Sequence, residues 1–404
     1  MRILFVVNQI PYPPDNGVRI PSYHAMRLMH SLGHNLALAV LTEETDNIDA
    51  RFDYISKNYC DDNAFLMLLP KQNRWKVLLS SLIKRNLFFI ERYHNNAFEN
   101  RLNKLINDFN PDVVHFDLIP MTQYVNAAYS DQGKVASIND SYALTLENEL
   151  AGGNYTGLKR LYKKWQLGKV KKYEADVYTL FDYVHTMTDI DVNYLRQLNS
   201  NINAMAIPNG VDSSLFELAH SNKGKTTIVF VANLVAENLI YLSNFFNNAW
   251  PIILNEIPHA KLHIVGKIRP EILSLKSQME KSPGILFKGY VENIEDAYVD
   301  CGISIVPVNK NCGIVNKAIE AMAAGLAVVG FEKTFAGIPQ AKNNEHYVAA
   351  NSYEAMGLEV VKLIKDEGLL KNIQQSAHVL ATKHFSWESR IEMYEKMYKN
   401  SYSR

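Results

Sequence analysis

The sequence holds little cysteine: Cys60, Cys301 and Cys312 stand far apart among 404 residues. No Cys-x-x-Cys or Cys/His spacing accompanies them, so a disulfide framework and a structural zinc site are excluded, and a reducing compartment is expected. Net charge is lacking too, with 42 Lys+Arg against 42 Asp+Glu, which argues against bulk attraction to nucleic acid or to an anionic surface. Long apolar runs are missing. The N-terminal run Ile3-Leu-Phe-Val-Val7 has five residues, too short for the core of a signal peptide. No stretch approaches the roughly 20 residues that span a bilayer. A cytoplasmic protein is expected, soluble or attached peripherally at the inner face of the membrane. What is present is ordinary globular composition, 47% hydrophobic and 21% charged, in a chain long enough for two or three domains.

The apolar segments are short and continuous, the pattern of strands buried on both faces. They occur at residues 3–7, 36–41, 64–69, 113–116, 135–138 and 183–187, with helical stretches such as 22–32 and 101–109 between them. The order strand, helix, strand predicts a parallel sheet with right-handed crossovers. A strand end and turn at Ala206-Ile-Pro-Asn-Gly-Val-Asp212 and the polar stretch 221–227 mark a boundary. Beyond it the alternation restarts, with strands at 227–231, 261–265, 285–288, 302–307 and 327–331 and helices at 240–254 and 315–324. The predicted fold class is α/β: two doubly wound Rossmann-like domains facing across a cleft, residues 1–207 with a returning C-terminal helix 385–404, and residues 208–384. That closing helix is read as N-capped by Ser386 and burying Trp387 and Ile391. Such sheets bind ligands outside the carboxyl ends of their strands.

Between the strands predicted at 302–307 and 327–331 lies Asn311-Cys-Gly-Ile-Val-Asn-Lys317, leading to Glu320. Gly313 lets a ligand approach the backbone at a helix start, where N–H groups and the helix dipole favour an anion such as a phosphate. Lys317 adds a charge on the first turn. Glu320, one turn later, brings a carboxylate able to accept hydrogen bonds from ribose or sugar hydroxyls. An Asn-capped helix with a solvent-exposed Lys–Glu pair fits the same spacing equally well.

Residues 316–329, Asn-Lys-Ala-Ile-Glu-Ala-Met-Ala-Ala-Gly-Leu-Ala-Val-Val, resemble the donor-site signature of the retaining glycosyltransferases of family 4, which have the GT-B fold. Segments 11–17, 111–115, 208–212, 260–266, 287–291 and 385–387 resemble the same family in the same order, and 313–317 is most similar to a branch of bacterial exopolysaccharide sugar transferases. The resemblance implies a metal-independent, cofactor-free enzyme in polysaccharide or glycoconjugate biosynthesis. It would move a sugar from a nucleotide-diphosphate sugar to a glycan or lipid-linked acceptor with retention of configuration. It further implies that Glu320 binds the nucleotide ribose, and that Gly17 lies in the loop approaching the donor phosphates and the acceptor. Tyr290 and Val291 would then meet the nucleobase, and the helix starting near Gly313, with Asn316 and Lys317, would hold the nucleotide.

The chain departs from the family at three places. The first glutamate of the Glu-x7-Glu motif falls on Cys312, a poor hydrogen-bond acceptor, so sugar recognition must differ or be lost. The Arg and Lys that relatives carry after the first strand of the second domain are absent from Val231-Ala-Asn-Leu-Val-Ala-Glu-Asn238, where Asn233 occupies the loop. Lys267, Arg269 and Lys317 are the expected substitutes, because a leaving diphosphate needs positive charge or aligned N–H groups. In place of the family's His-x-His stands His115-Phe-Asp117. Asp117 is expected to orient a sugar or acceptor hydroxyl, and His115 reads as a core residue. Asp117, Lys317 and Glu320 form the expected catalytic set. Cys312 and the missing cations support a second reading, a catalytically impaired nucleotide-sugar-binding or scaffold subunit of a glycan assembly complex.

Two windows are locally basic. Residues 71–92 hold Lys71, Arg74, Lys76, Lys84, Arg85 and Arg92 against Glu91, and residues 158–174 hold Lys159, Arg160, Lys163, Lys164, Lys169, Lys171 and Lys172 interleaved with Tyr162 and Trp165. Each fits a helix lying on an anionic leaflet, and equally a solvated face over a packed one. No nucleic-acid recognition motif accompanies the charge, so nucleic acid is not an expected partner.

Overall fold

The computed structural model describes residues 1–70, 77, 80–81, 87–128, 131–153, 155–220, 224–309 and 314–402. Cys312, Gly313, the polar residues 221–223 and residues 71–76, 78–79 and 82–86 of the basic window 71–92 lie outside the described residues. The chain divides into two units, residues 1–209 with 390–404 and residues 210–389.

The first unit is built on β1 (Arg2–Val7), β2 (Asn35–Thr42), β3 (Ala64–Leu68), β4 (Val113–Asp117), β5 (Gly133–Asn139), β6 (Tyr183–Thr186) and β7 (Ala204–Ala206). Their order is β3-β2-β1-β4-β5-β6-β7, and every neighbouring pair is parallel. Residues 3–7 are wholly buried, as a strand with helices over both faces requires. The order reverses beside β1, which pairs with β2 on one side and β4 on the other. This is the topological switch point of a doubly wound sheet.

The second unit repeats the plan with β8 (Thr227–Val231), β9 (Lys261–Val265), β10 (Ile285–Gly289), β11 (Ile303–Val306), β12 (Ala327–Phe331) and β13 (Val348–Ala350). The order is β10-β9-β8-β11-β12-β13, again parallel, with its switch point between β8 and β11. Along β8, Ile228 and Phe230 join one apolar core and Val229 another, so the sheet is covered on both faces. Strand β13 has three residues, too few to show a pattern in sequence. The expected helix 240–254 is two helices, Ala236–Asn248 and Trp250–Glu256. Pro251, at the start of the second helix, has no N–H to continue the first.

The C-terminal region corrects the sequence reading. Helix Glu367–Phe385 ends at Ser386, a short 3-10 turn spans Glu388–Arg390, and a separate helix runs over Ile391–Tyr402. The break has a local cause: Val211 N donates to Phe385 O at 2.6 Å, and Ser386 pairs with Val211 in a parallel bridge, which holds the chain extended there. Ser386 Oγ accepts from Ser389 N at 3.1 Å and so caps the short turn rather than the last helix. Trp387 is buried against Gly210, where a Cβ would come within 2.6 Å of the indole. Residues 210–211 and 385–387 are therefore held together within the second unit. Helix Ile391–Tyr402 packs on β4 and β5 of the first unit. Among the described residues, no helix is long and apolar enough to cross a membrane.

Candidate functional site

At the carboxyl edge of the second sheet, β8 leads through a loop into helix Ala236–Asn248, and β11 leads towards helix Asn316–Ala323. The latter has extended Val315 at its N-cap and no side-chain cap. Among the described residues no side chain caps the positive end of its dipole, and Asn316 is not the N-cap, because it is already helical. Lys317, in the first turn, extends Nζ to Asn238 Oδ1 at 3.3 Å and stands 5.5 Å from the Phe230 ring centroid. Asn238 Nδ2 in turn donates to Asn233 O at 2.9 Å. Residues 231–238, from the end of β8 to the first turn of the next helix, carry no cation of their own, and Lys317 brings one to Asn238 from the neighbouring helix. Lys267 and Arg269 are exposed on the loop after β9.

Glu320, half-buried one turn along, accepts a hydrogen bond from Tyr298 OH at 2.9 Å on Oε2. Burial raises its carboxyl above the ordinary range; the Tyr298 hydrogen bond opposes the shift, the Asp212 charge adds to it, and Lys317 opposes it. The Lys–Glu pair is therefore not a solvent-exposed one. Tyr298 is fully buried, and its phenol is pushed up by burial first and by Glu320 second. Sequence reasoning missed Tyr298. It closes the short helix Glu295–Tyr298, 22 residues before Glu320, and only the packing of that helix links the two. Tyr290 is exposed just after β10, while Val291 packs partly onto the apolar cluster that includes Ala318 and Ile319.

In the first unit Asp117 ends β4 at the switch point beside β1. It is 2% exposed, and its Oδ1 has no hydrogen-bond partner among the described residues. Burial pushes its carboxyl up to about 7, with the Ser22 hydroxyl opposing. Asn8, just past β1, and Asn139, at the end of β5, each present a buried Oδ1 that also lacks a partner among the described residues. Asn139 Nδ2 donates to Gly17 O at 3.3 Å, which ties the loop after β1 to this edge. Arg19, paired with Asp15 and Glu44, and Arg51, bound to Glu44 and to the carbonyls of Ile10 and Tyr12, brace that loop. Buried oxygens without donors are sites that call for a hydroxyl or a water. His115 is different: its Nδ1 meets Tyr398 OH at 2.9 Å in the core, and burial lowers its pKa to about 3. Lys317, Glu320, Asn233 and Asn238 are thus gathered in the second unit, and Asp117, Asn139 and Gly17 in the first.

Residues 225–366, within the second unit, match the family described as Glycosyl transferases group 1. The chain is 23% identical over 255 residues to the poly(glycerol-phosphate) alpha-glucosyltransferase of Bacillus subtilis (strain 168), a match covering 60% of this chain and 35% of that protein. It therefore spans about a third of that relative's length. It is 22% identical over 405 residues to an uncharacterized 44.6 kDa protein in the cps region of Klebsiella pneumoniae, covering 93% of this chain and 94% of that one. Among solved structures it is similar to the pneumococcal O-GlcNAc transferase GtfA in complex with UDP and GlcNAc, with a TM-score of 0.69 at 12% identity over 100% of this chain and 99% of that chain. The fold is that of the GT-B glycosyltransferases, and the family match lies in the second unit.

Proposed function

We propose that this chain is a retaining, metal-independent glycosyltransferase that moves a sugar from a nucleoside-diphosphate donor to a glycan or lipid-linked acceptor in polysaccharide or glycoconjugate biosynthesis. The observation that carries this reading is the placement of the Lys317 ammonium against Asn238, in the first turn of the helix that follows β8, one turn from Glu320. A departing diphosphate needs fixed positive charge at the moment the glycosidic bond breaks. Lys317 and the first turn of its helix supply that charge. Glu320, held by Tyr298, accepts the ribose hydroxyls, and the backbone at Tyr290 and Val291 meets the base. Asp117 orients a sugar or acceptor hydroxyl with its open oxygen. No side chain is assigned as general base; the acceptor proton passes to the departing phosphate. Lys267 and Arg269, exposed, are secondary contacts to the phosphates.

Titration calorimetry with UDP and with uridine, guanosine and adenosine diphosphate sugars tests the reading. Lys317→Met keeps the length of the side chain and removes its charge. It should weaken the preferred donor by roughly 10–100-fold, the effect of losing a charged hydrogen bond of about 1.5–3 kcal/mol. Binding of no donor, or equal binding by the variant, sinks the proposal. A chain that binds donor yet neither hydrolyses it nor transfers its sugar would instead be the binding subunit of a glycan assembly complex, the reading that Cys312 at the motif's first glutamate supports.

A further inference from the structure

We infer that the N-terminal half of helix Gly157–Val177 is a docking surface for an anionic lipid bilayer. The inference rests on the lipid-linked reading of the acceptor for its biological role, but not for its chemistry. Leu158, Leu161, Tyr162 and Trp165 stand at i, i+3, i+4 and i+7, so they form one stripe along the helix. All four are open to solvent, at 84%, 63%, 43% and 46% exposure. They are not the face by which the helix is held. Leu167, Val170, Tyr173 and Glu174 pack inward, the apolar ones against Leu87, Phe89 and Ile90, while the Glu174 carboxylate accepts from Ser141 Oγ and from the N–H groups of Tyr142 and Ala143.

Charge settles which occupant the stripe fits. Between residues 157 and 173 the helix carries Lys159, Arg160, Lys163, Lys164, Lys169, Lys171 and Lys172 and no acidic residue. Lys171 is paired with Glu147. Lys169 Nζ lies 4.2 Å from the Trp165 ring centroid, and Lys159 and Lys163 flank the Tyr155 ring at 5.0 Å. Aromatic and leucine side chains flanked by lysine are the chemistry of an interfacial helix, in which the stripe enters the headgroup boundary and the cations meet lipid phosphates. A second copy of the chain would bring the same basic face and would be repelled. Of the other basic window, the described residues 87–92 are engaged elsewhere. Arg92 is bound by Glu43, and Leu87, Phe89 and Ile90 are already spent on the inward face of this helix.

The test uses the full chain and two kinds of sucrose-loaded vesicle, one of phosphatidylcholine alone and one of equal parts phosphatidylcholine and phosphatidylglycerol. The protein should sediment with the second kind only, and less so as salt rises. In a Trp75→Phe background, which leaves Trp165 as the one tryptophan besides the buried Trp250 and Trp387, emission should shift to the blue on the anionic vesicles. A triple variant, Leu158→Ser, Leu161→Ser and Trp165→Ser, should lose at least about tenfold in partitioning while keeping its circular dichroism and its affinity for UDP. Failure of the native chain to bind anionic vesicles overturns the inference, as does undiminished binding by the variant. Dimerisation in vesicle-free solution that the triple variant abolishes would assign the stripe to a second copy, and the lipid reading falls. Nucleotide affinity is read separately, so loss of either property leaves the other measurable.

Discussion

Asp117 shows how one residue can be both a functional candidate and a cost to the fold. Its carboxyl is buried at the end of β4 with one oxygen that has no partner among the described residues, and burial raises it from 3.8 to about 7. Between those two values the unfolded chain releases a proton that the native state retains, so stability falls as pH rises. Below pH about 4 the group contributes no pH dependence, and above about 7 the loss is complete. Roughly three units correspond to a few kcal/mol. Asp117→Asn keeps the shape and removes the ionisation. The variant should match the native chain in urea unfolding near pH about 4 and exceed it by a few kcal/mol near pH about 8. Glu174, raised to about 7, and Asp140, raised to about 6, act in the same direction in both proteins, so they cancel in the comparison. Parallel stability curves would mean that Asp117 is accommodated as a carboxylate, and its role in orienting a hydroxyl would then be that of an acceptor only.

At the scale of elements, the edge of the second sheet is locked by close backbone approach. Gly266, just past β9, has φ +149 and donates to Gly289 O at 2.8 Å, and a Cβ there would lie 2.0 Å from Ala232 O in the loop after β8. Backbone cannot step aside as a side chain can. Gly266→Ala is expected to cost about 2 kcal/mol or more, lowering the melting temperature by roughly 4–8 °C for a unit of this size. It should also weaken donor binding, because the displaced loop holds Asn238 and, through it, Lys317. Gly168→Ala, where nothing lies within 4 Å in the middle of a helix, serves as the contrast and should stabilise by about 0.5–1 kcal/mol. Equal melting of the Gly266 variant and the native chain would refute the locking argument. The same edge shows what was legible beforehand. Parallel strands buried on both faces write continuous apolar runs, so β1, β2, β8 and β9 could be read directly. Lys317 and Glu320 could be read because they share one helix face. Tyr298 and Asn238 could not, since a lone Tyr or Asn has no periodicity and only the sheet order brings them to the site. The break at Ser386 was hidden for a related reason: the apolar spacing of residues 385–398 continues through it, and only the partner strand segment at Val211 shows that the backbone there is extended.

At the scale of the whole molecule, the first unit is completed by the end of the chain. The chain leaves it at Asn209, builds the second unit, and returns at Arg390. Tyr394, Met397, Tyr398 and Ser401 are then buried on β4 and β5. The fit is specific. Tyr398 OH meets His115 Nδ1, the Tyr394 ring lies 5.4 Å from His185, and Gly133 leaves room for Ser401, which a Cβ would approach to 2.6 Å. Burying large apolar side chains contributes about 1.5–3 kcal/mol each, so three of them account for a sum comparable with the entire net stability of a domain, roughly 5–15 kcal/mol. Removal of residues 391–404 should therefore unfold the first unit although every strand of its sheet is still present. The second unit, whose elements all lie in 210–389, should keep its structure. Limited proteolysis followed by mass spectrometry distinguishes the outcomes, with early cleavage within 1–209 and survival of a fragment near 210–389 as the expected pattern. Persistent resistance of 1–209 would show that the last helix only covers the first unit. Tyr398→Phe separates packing from hydrogen bonding in the intact chain: it keeps the ring, leaves His115 Nδ1 without its hydroxyl partner, and should cost about 1–3 kcal/mol. A larger loss in the truncated chain than in this variant would assign most of the stabilisation to apolar burial, as the aromatic and methionine side chains of the helix require.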